Sequence, residues 1–186
     1  MAYIDVKEYN DAEGRLKEIY DDLIKTRGKL AEVHKIQSLN PETIVAHMDL
    51  YLKIMFGRSP LKRYQREMLG VVVSKSNDCE YCITHHAEAV NFYWKDDQKM
   101  ADFISDFTSV TLSKTDRILC YYAKELTLNP QHFKDDTEAE KMKAVGLSDR
   151  AILDATLVIG YFNFVNRIVL SLGVGLEDDP GGYNYE

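Results

Sequence analysis

The feature that most restricts the fold of this sequence is a succession of helix start signals with no convincing strand between them. Asn40 precedes Pro41, Ser113 opens an acidic first turn, and Ser148 precedes a long apolar stretch. Asn and Ser side chains at a helix N-cap accept hydrogen bonds from the first turn, and Pro is favoured at the first helical position. The β-branched run 71–73 lies inside an otherwise helical segment. We therefore predict an all-α protein.

The predicted helices are spread along most of the chain. Its 186 residues suggest one domain that is large enough to bury a core. We predict a single-domain helical bundle over residues 1–176, with its motif core at about 40–100, and a mobile C-terminal tail over 177–186. The predicted helices are 11–25, 30–39, 40–56, 59–76, 79–94, 96–107, 113–128, 137–146 and 148–172.

Composition argues against several classes of function. A net charge of −7 without a basic cluster argues against nucleic acid as a partner. The most apolar stretch, 151–176, is interrupted by polar residues such as Asp154 and Arg167, so we predict no membrane span. The first 20 residues have no apolar core of the kind that signal peptides carry. Three cysteines, an odd number, do not resemble a secreted disulfide framework, so we predict a cytoplasmic protein.

Two cysteines and a histidine recur at helical spacing near the middle of the chain. Cys79, Cys82 and His86 are three and four residues apart, so they point within about 60° of one another at roughly 100° per residue. Asn77 or Asp78 is expected to cap the helix that carries them. A helix N-terminus or a neighbouring His lowers the pKa of a thiol. The sequence thus predicts two thiols and an imidazole on one face of a helix, at its positive end.

The spacing also predicts a role for each residue. His86 lies one turn beyond Cys82, so we interpret Cys82 as the activated nucleophile and Cys79 as the resolving thiol. Glu67 is on the preceding helix, and a helical hairpin would bring its carboxylate to His86, directly or through a water. Many covalent enzymes use this arrangement of nucleophile, base and orienting acid.

The same residues carry a resemblance to a known family. Glu67, eleven residues, Cys79-x-x-Cys82, three residues and His86 resemble the pattern of the alkylhydroperoxidase D-like proteins. These belong to the carboxymuconolactone decarboxylase superfamily. The segments 61–82 and 146–174 are similar to its peroxidase-related branch. The resemblance covers most of residues 35–176.

The resemblance implies an all-α homo-oligomer, either a trimer or a hexamer, with thiol-based chemistry. Its implied partners are a hydroperoxide or disulfide substrate and a thiol reductant or redox protein, with no cofactor besides the cysteine pair. It does not imply lactone decarboxylation. Alkylhydroperoxidase D often has a His between the two cysteines, where this sequence has Tyr81. A proton-transfer role at that position is therefore not carried over.

The cysteine pair also has an explanation without catalysis. Structural zinc requires four ligands, often from two such pairs or from one pair with two His. Cys79 and Cys82 are accompanied by His85 and His86, but no second pair exists, so we predict no metal site. A zinc-stabilised or non-catalytic helical oligomerisation module is the alternative to an enzyme.

Other polar and aromatic residues near the motif have structural interpretations. We assign the basic residues of 62–66 to a solvated face, and His85 to packing or an interface. The aromatic residues of 161–164 are assigned to the core or a subunit contact, and Cys120 to the core. Asn166 and Arg167 interrupt an apolar helix, and we favour a subunit interface for them over the wall of the site.

Overall fold

The computed structural model describes residues 2–178, and its regular structure is entirely helical over that range. The prediction of an all-α protein is confirmed. Two 3₁₀ turns, Tyr9–Asp11 and Pro130–His132, accompany the α-helices. The α-helices are α1 (Gly14–Arg27), α2 (Glu32–Lys35), α3 (Pro41–Met55), α4 (Arg63–Ser76), α5 (Glu80–Trp94), α6 (Asp97–Ser105), α7 (Lys114–Leu128), α8 (Thr137–Ala144) and α9 (Asp149–Leu172).

The serine caps act at the helix ends where the sequence predicts them. The Ser113 hydroxyl accepts from the backbone N–H of Asp116, and the Ser148 hydroxyl accepts from that of Ala151. α9 ends at Gly173, whose φ of 68° lies in the left-handed region that favours glycine. These local signals fix where α7 and α9 begin and where α9 ends.

Helix α4 begins later than predicted, at Arg63 instead of near Ser59. The Ser59 hydroxyl donates to the carboxylate of Asp154 on α9 and accepts from the backbone N–H of Leu61. At the observed start of α4, the Gln65 side chain accepts from the backbone N–H of Lys62. Ser59 thus ties the turn before α4 to α9 and does not begin the helix.

Helix α4 is the centre of the main core. It packs against α5, α7 and α9, and Met68, Leu69 and Val73 are fully enclosed. Gly70 lets α4 approach α9 closely: a Cβ there would lie 2.7 Å from the Phe162 ring. A helix buried on every side has no polar stripe, which explains the β-branched run within it.

A second, smaller core joins α1 to α3. Leu16, Ile19 and Tyr20 on α1 pack against Ile44 and Met48 on α3. This layer places the C-terminal end of α1 and one face of α3 beside α4, α5 and α9. The cavity described below lies between these helices.

By length and composition alone, α9 is long and apolar enough to cross a membrane, and the absence of a membrane span stays a prediction. Core helices of soluble proteins pass the same test, and α9 packs against α4 and α7. Its buried polar residues Asp154 and Asn166 have hydrogen-bond partners within the chain. Location in the cytoplasm stays a prediction.

Candidate active site

The hairpin between α4 and α5 positions the cysteine pair. The chain reverses at Asp78, whose φ is 57°, and Cys79 occupies the N-cap position of α5. Asn77 and Asp78 make no cap to α5, so the predicted capping is wrong. The Asn77 amide instead donates to the side-chain oxygens of Asn163 and Asn166, at 3.1 and 2.9 Å. This bond ties the turn to α9 and holds Cys79 at the helix start.

The two cysteines are free thiols with different surroundings. Cys79 has no exposed surface and Cys82 is 2% exposed. Cys82 lines a cavity of about 90 Å³ together with Glu67 and His86.

The two thiols differ in the direction in which their pKa is shifted. A hydrogen bond with Cys82 lowers the pKa of the Cys79 thiol, and the charge of His85 adds to that effect. The same hydrogen bond, together with burial, raises the pKa of Cys82, against a lowering by Asn166 and Ser74. Cys79 is therefore the thiol that ionises more readily at rest, whereas Cys82 needs a base to remove its proton. The assignment of Cys82 as the nucleophile stays a prediction, supported by its place in the cavity.

Glu67 and His86 are in direct contact across the hairpin. Oε2 of Glu67 lies 2.6 Å from Nδ1 of His86, and the Nε of Arg63 donates to Oε1 at 2.8 Å. Glu67 is only 1% exposed. Burial raises the pKa of the Glu67 carboxyl, but the hydrogen bond from His86 and the charge of Arg63 outweigh burial and hold that pKa below its ordinary value. Glu67 is therefore a buried, ionised carboxylate.

The contact with Glu67 fixes the tautomer of His86. A carboxylate only accepts hydrogen bonds, so Nδ1 of His86 carries the proton and Nε2 is left as an acceptor. The ring packs edge-on against Phe162, with 4.4 Å between centroids. An oriented imidazole with a basic nitrogen and a buried anion behind it is the arrangement of a general base.

A second histidine lines the opposite part of the cavity, and its partners are neutral. Gln37 Nε2 donates to the Val33 carbonyl and to Nδ1 of His47, both at 2.8 Å. Nε2 of His47 therefore carries the proton and donates to the Tyr161 hydroxyl at 2.7 Å. Burial lowers the pKa of His47 to about 4 and raises that of Tyr161 well above its ordinary value. The Tyr161 hydroxyl thus keeps its own proton to donate.

Two residues of α5 that line the cavity, Tyr81 and His85, also contact the C-terminal segment. The Tyr81 hydroxyl donates to Oε1 of Glu177 at 2.8 Å, and the backbone N–H of Glu32 donates to the same oxygen. His85 Nε2 lies 3.1 Å from Oε2 of Glu177. Burial opposes ionisation, but these partners lower the pKa of Glu177 to about 2. Glu177, predicted to begin a mobile tail, is held in place; residues 179–186 lie outside the described residues.

Two sequence interpretations of polar residues are wrong. Arg63 pairs with Glu67, and the buried Arg66 donates to the Ile54 and Gly57 carbonyls, so these two are not a solvated basic face. Asn166 is fully buried and donates to Ser74 rather than facing a subunit interface. A carboxylate or a row of backbone acceptors can bury a guanidinium, and a helical pattern does not reveal such partners.

The predicted site residues divide into two groups. Glu67, Cys82 and His86 line one cavity, and Cys79 is hydrogen-bonded to Cys82. His47, Tyr161 and Glu177 were not predicted, because no short spacing links them to the motif. Within residues 2–178, no three His, Cys, Asp or Glu side chains are grouped so as to hold a metal ion.

The comparisons with known proteins give one family match and several similar structures. A family model described as the carboxymuconolactone decarboxylase family matches residues 41–91, which contain the whole motif. A peroxidase-related protein from Silicibacter sp. TM1040 is 27% identical, with a TM-score of 0.78 over 86% of this chain and 83% of that chain. No curated protein matches the sequence.

Two further solved structures share the fold at lower identity. An alkylhydroperoxidase core protein from Ralstonia eutropha JMP134, described as peroxidase-related, has a TM-score of 0.84 and 18% identity over 95% of this chain and 93% of that chain. The debrominase Bmp8 has a TM-score of 0.77 and 18% identity over 96% of this chain and 94% of that chain.

The fold and the hairpin motif together define a class of protein: an all-α domain with a Cys-x-x-Cys pair at a helix start, backed by a His–Glu contact. Its motif lies in the segment that matches the carboxymuconolactone decarboxylase family model, and its fold is similar to that of alkylhydroperoxidase D-like, peroxidase-related proteins. The structurally similar proteins from Silicibacter and Ralstonia are both described as peroxidase-related.

Proposed function

We propose that this protein is a thiol-dependent oxidoreductase that reduces a hydroperoxide or a disulfide in the cavity. The observation that carries the proposal is the 2.6 Å contact between Glu67 and His86, in the cavity that Cys82 lines. A buried acid, an oriented base and a thiol are the parts that thiol activation needs.

The first step is the oxidation of Cys82. Nε2 of His86 takes the thiol proton, and Glu67 stabilises the imidazolium. The thiolate attacks the terminal oxygen of the hydroperoxide and the O–O bond breaks, which leaves Cys82 as a sulfenic acid. The leaving alkoxide takes the proton from His86 and departs as an alcohol.

The second step closes the disulfide. The Cys79 sulfur attacks the sulfur of the Cys82 sulfenic acid, the S–O bond breaks, and water leaves with the Cys79 proton. The lowered pKa of Cys79 favours this attack, because the thiolate is the reactive form. An external dithiol or a redox protein then supplies two electrons and two protons to restore both thiols.

The same parts serve a disulfide substrate without peroxide. The Cys82 thiolate would attack one sulfur of the substrate and release the other as a thiol, which takes the proton from His86. Cys79 would then displace the remaining thiol from the mixed disulfide and form the protein disulfide. Both reactions use the thiols in the same order.

Hydroperoxide consumption with a dithiol reductant tests the proposal. Cys82→Ser is expected to lower kcat/KM by at least about 100-fold, because it removes the nucleophile. Cys120→Ser is the matched control, since Cys120 is buried in the core away from the cavity. Cys79→Ser should still form a sulfenic acid that dimedone traps. Equal rates for Cys82→Ser and the parent would contradict the assignment.

The alternative is a helical module without catalysis, with or without zinc. That alternative predicts thiols of ordinary reactivity and, for zinc, stoichiometric metal that a chelator removes with loss of structure. The hydrogen-bonded pair and the buried Glu67 carboxylate support the enzyme instead, since neither is needed for packing.

We further propose that the protein forms a homo-oligomer, a trimer or a hexamer, through the outer face of α9. Leu153, Leu157 and Phe164 lie on one stripe of this helix and are 53%, 45% and 48% exposed. Such a contiguous apolar stripe is typical of an interface. Leu157→Glu should shift the sedimentation coefficient to that of a monomer, and an unchanged value would contradict this face as the interface.

A further inference from the structure

The cavity contains polar groups that the proposed proton relay does not use. Arg27, the last residue of α1, lines the cavity, and its guanidinium lies 5.6 Å from the Tyr51 ring centroid and 5.2 Å from that of Phe56. Within residues 2–178 the Arg27 guanidinium lies over these rings and forms no ion pair. A half-buried cation of this kind has hydrogen-bonding capacity for a ligand.

His34 is a second such group. It is 9% exposed and lines the cavity, and its Nδ1 is buried without a hydrogen-bond partner in the described structure. A buried polar atom without a partner costs about 1–3 kcal/mol, so it calls for a ligand. The Tyr161 hydroxyl, whose oxygen accepts from His47, adds a donor on the same cavity.

Arg27 is a cation of the cavity that no carboxylate within residues 2–178 pairs. The Glu67 carboxylate pairs with Arg63, and the Glu177 carboxylate pairs with His85. His34 and His47 are neutral, since burial lowers their pKa to about 3 and about 4. Burial strengthens the attraction of Arg27 for an anion.

The remaining wall is apolar and aromatic. Val33, Met48, Phe162 and Val165 line it with Tyr51. Such a wall fits a hydrocarbon or aromatic body, which places the charged end of a ligand at Arg27 and its other end at Cys82. An amphipathic anion therefore matches the cavity better than hydrogen peroxide does.

We propose that the substrate is an organic carboxylate, whose acid group binds the Arg27 guanidinium and the His34 imidazole while its peroxide or disulfide end meets Cys82. This inference rests on the proposed function only for the reacting end. Carboxylate binding itself is independent of any chemistry at the thiols.

A structural role for Arg27 at the end of α1 does not account for its position. Cations near a helix C-terminus are favourable, and Lys25 in the same turn meets that need from an exposed position. Arg27 instead lies over the aromatic rings of the cavity wall. The helix end therefore gains little from this second, inward-facing cation.

The binding test uses the Cys82→Ser protein, which cannot turn over. Titration calorimetry should show benzoate binding about 10-fold or more tighter than benzamide, since charge-assisted hydrogen bonds are the stronger ones. Arg27→Gln in the same background should remove that preference. Arg15→Gln, an exposed arginine on the same helix, is the matched control and should keep it. Equal binding of the two probes, or a preference that survives Arg27→Gln, would overturn the inference.

The turnover test separates this inference from the proposed function. Cumene hydroperoxide and its para-carboxylate differ only in the acid group, and the acid should have the higher kcat/KM, mostly through KM. Arg27→Gln should bring the two values together, and Arg27→Lys should restore part of the difference. Turnover without a preference for the acid contradicts the carboxylate site alone. Benzoate binding without turnover of either hydroperoxide supports the site and contradicts hydroperoxide reduction as the proposed function.

Discussion

One cavity has two histidines with opposite partners. His86 on α5 contacts the buried carboxylate of Glu67, whereas His47 on α3 lies between the amide of Gln37 and the phenol of Tyr161. The first is a hydrogen bond to a carboxylate that a neighbouring guanidinium, that of Arg63, also contacts. The second is a chain of neutral groups in which burial lowers the pKa of the imidazole to about 4.

The difference shows how a partner decides what a histidine can do. A carboxylate behind the ring stabilises the imidazolium, so His86 is able to accept a proton and return it. An amide behind the ring offers no such charge, so His47 stays neutral and serves to orient the Tyr161 hydroxyl. The same side chain is thus a base on one wall and a hydrogen-bond relay on the other.

Replacing the carboxylate by an amide tests this comparison most strongly. Glu67→Gln gives His86 the kind of partner that His47 has, and we expect the rate of hydroperoxide reduction to fall by about 100-fold, as for the loss of general acid–base catalysis. Glu80→Gln is the matched control, because Glu80 is an exposed acid between the same two cysteines. Peroxidase assays on both variants measure the effect.

The stability of Glu67→Gln provides an independent test of the same comparison. The pKa of Glu67 is below its ordinary value in the fold, so its stabilising effect is present above that ordinary value and is lost as the pH falls through the folded pKa. The variant should therefore differ most from the parent in urea unfolding near neutral pH. A full rate in Glu67→Gln would show that His86 needs no anion, and would remove the distinction between the two walls.

The neutral side of the cavity, where His34 and His47 lie, leads to a prediction about the stability of the fold at low pH. The pKa of His34 is lowered from 6.5 to about 3, first by burial, so the unfolded chain takes up a proton below about pH 6.5 that the folded chain does not. Stability is then lost as the pH falls from about 6.5 towards 3. In His34→Gln the loss between pH 7.5 and pH 5 should be smaller by about 2 kcal/mol, measured by urea unfolding.

An exposed histidine provides the control for that measurement. His132 is largely in solvent, so His132→Gln should leave the pH dependence of unfolding as it is in the parent. If His34→Gln and the parent lose stability in parallel, then His34 is charged in the fold and the cavity's neutral wall is misassigned.

The sequence predicts the side of the cavity that contains Glu67, Cys82 and His86. It does not predict the side that contains His47 and Tyr161. Glu67, Cys82 and His86 lie within twenty residues on two consecutive helices, so spacing and helix geometry bring them together. His47 and Tyr161 are 114 residues apart, and only the packing of α3 on α9 makes them neighbours. Glu177 is 96 residues from Tyr81 and lies beyond the last helix, where the sequence suggests only a tail.

The helix starts predicted at Ser59 and Asn77 are wrong, and both of these side chains form hydrogen bonds to residues distant in sequence. Asn77 donates to Asn163 and Asn166 and does not cap α5, and Ser59, which donates to Asp154, does not begin α4. Each of these side chains has the right chemistry for the predicted cap and a partner elsewhere in the chain. Helix existence follows from periodicity, whereas the use of each polar side chain depends on neighbours that are distant in sequence.

Removing the Tyr161 hydroxyl should have the smallest effect of these changes, because this hydroxyl transfers no proton in the proposed mechanism. Tyr161→Phe leaves Nε2–H of His47 without its acceptor at 2.7 Å, which should cost about 1–2 kcal/mol of stability. The rate of peroxide reduction should fall only about 3–10-fold, as for one orienting hydrogen bond, with an unchanged pH profile. Tyr122→Phe, which removes a hydroxyl bonded to Thr156 outside the cavity, is the matched control. A loss as large as that of Glu67→Gln would show that Tyr161 transfers a proton itself, and both walls would then be catalytic.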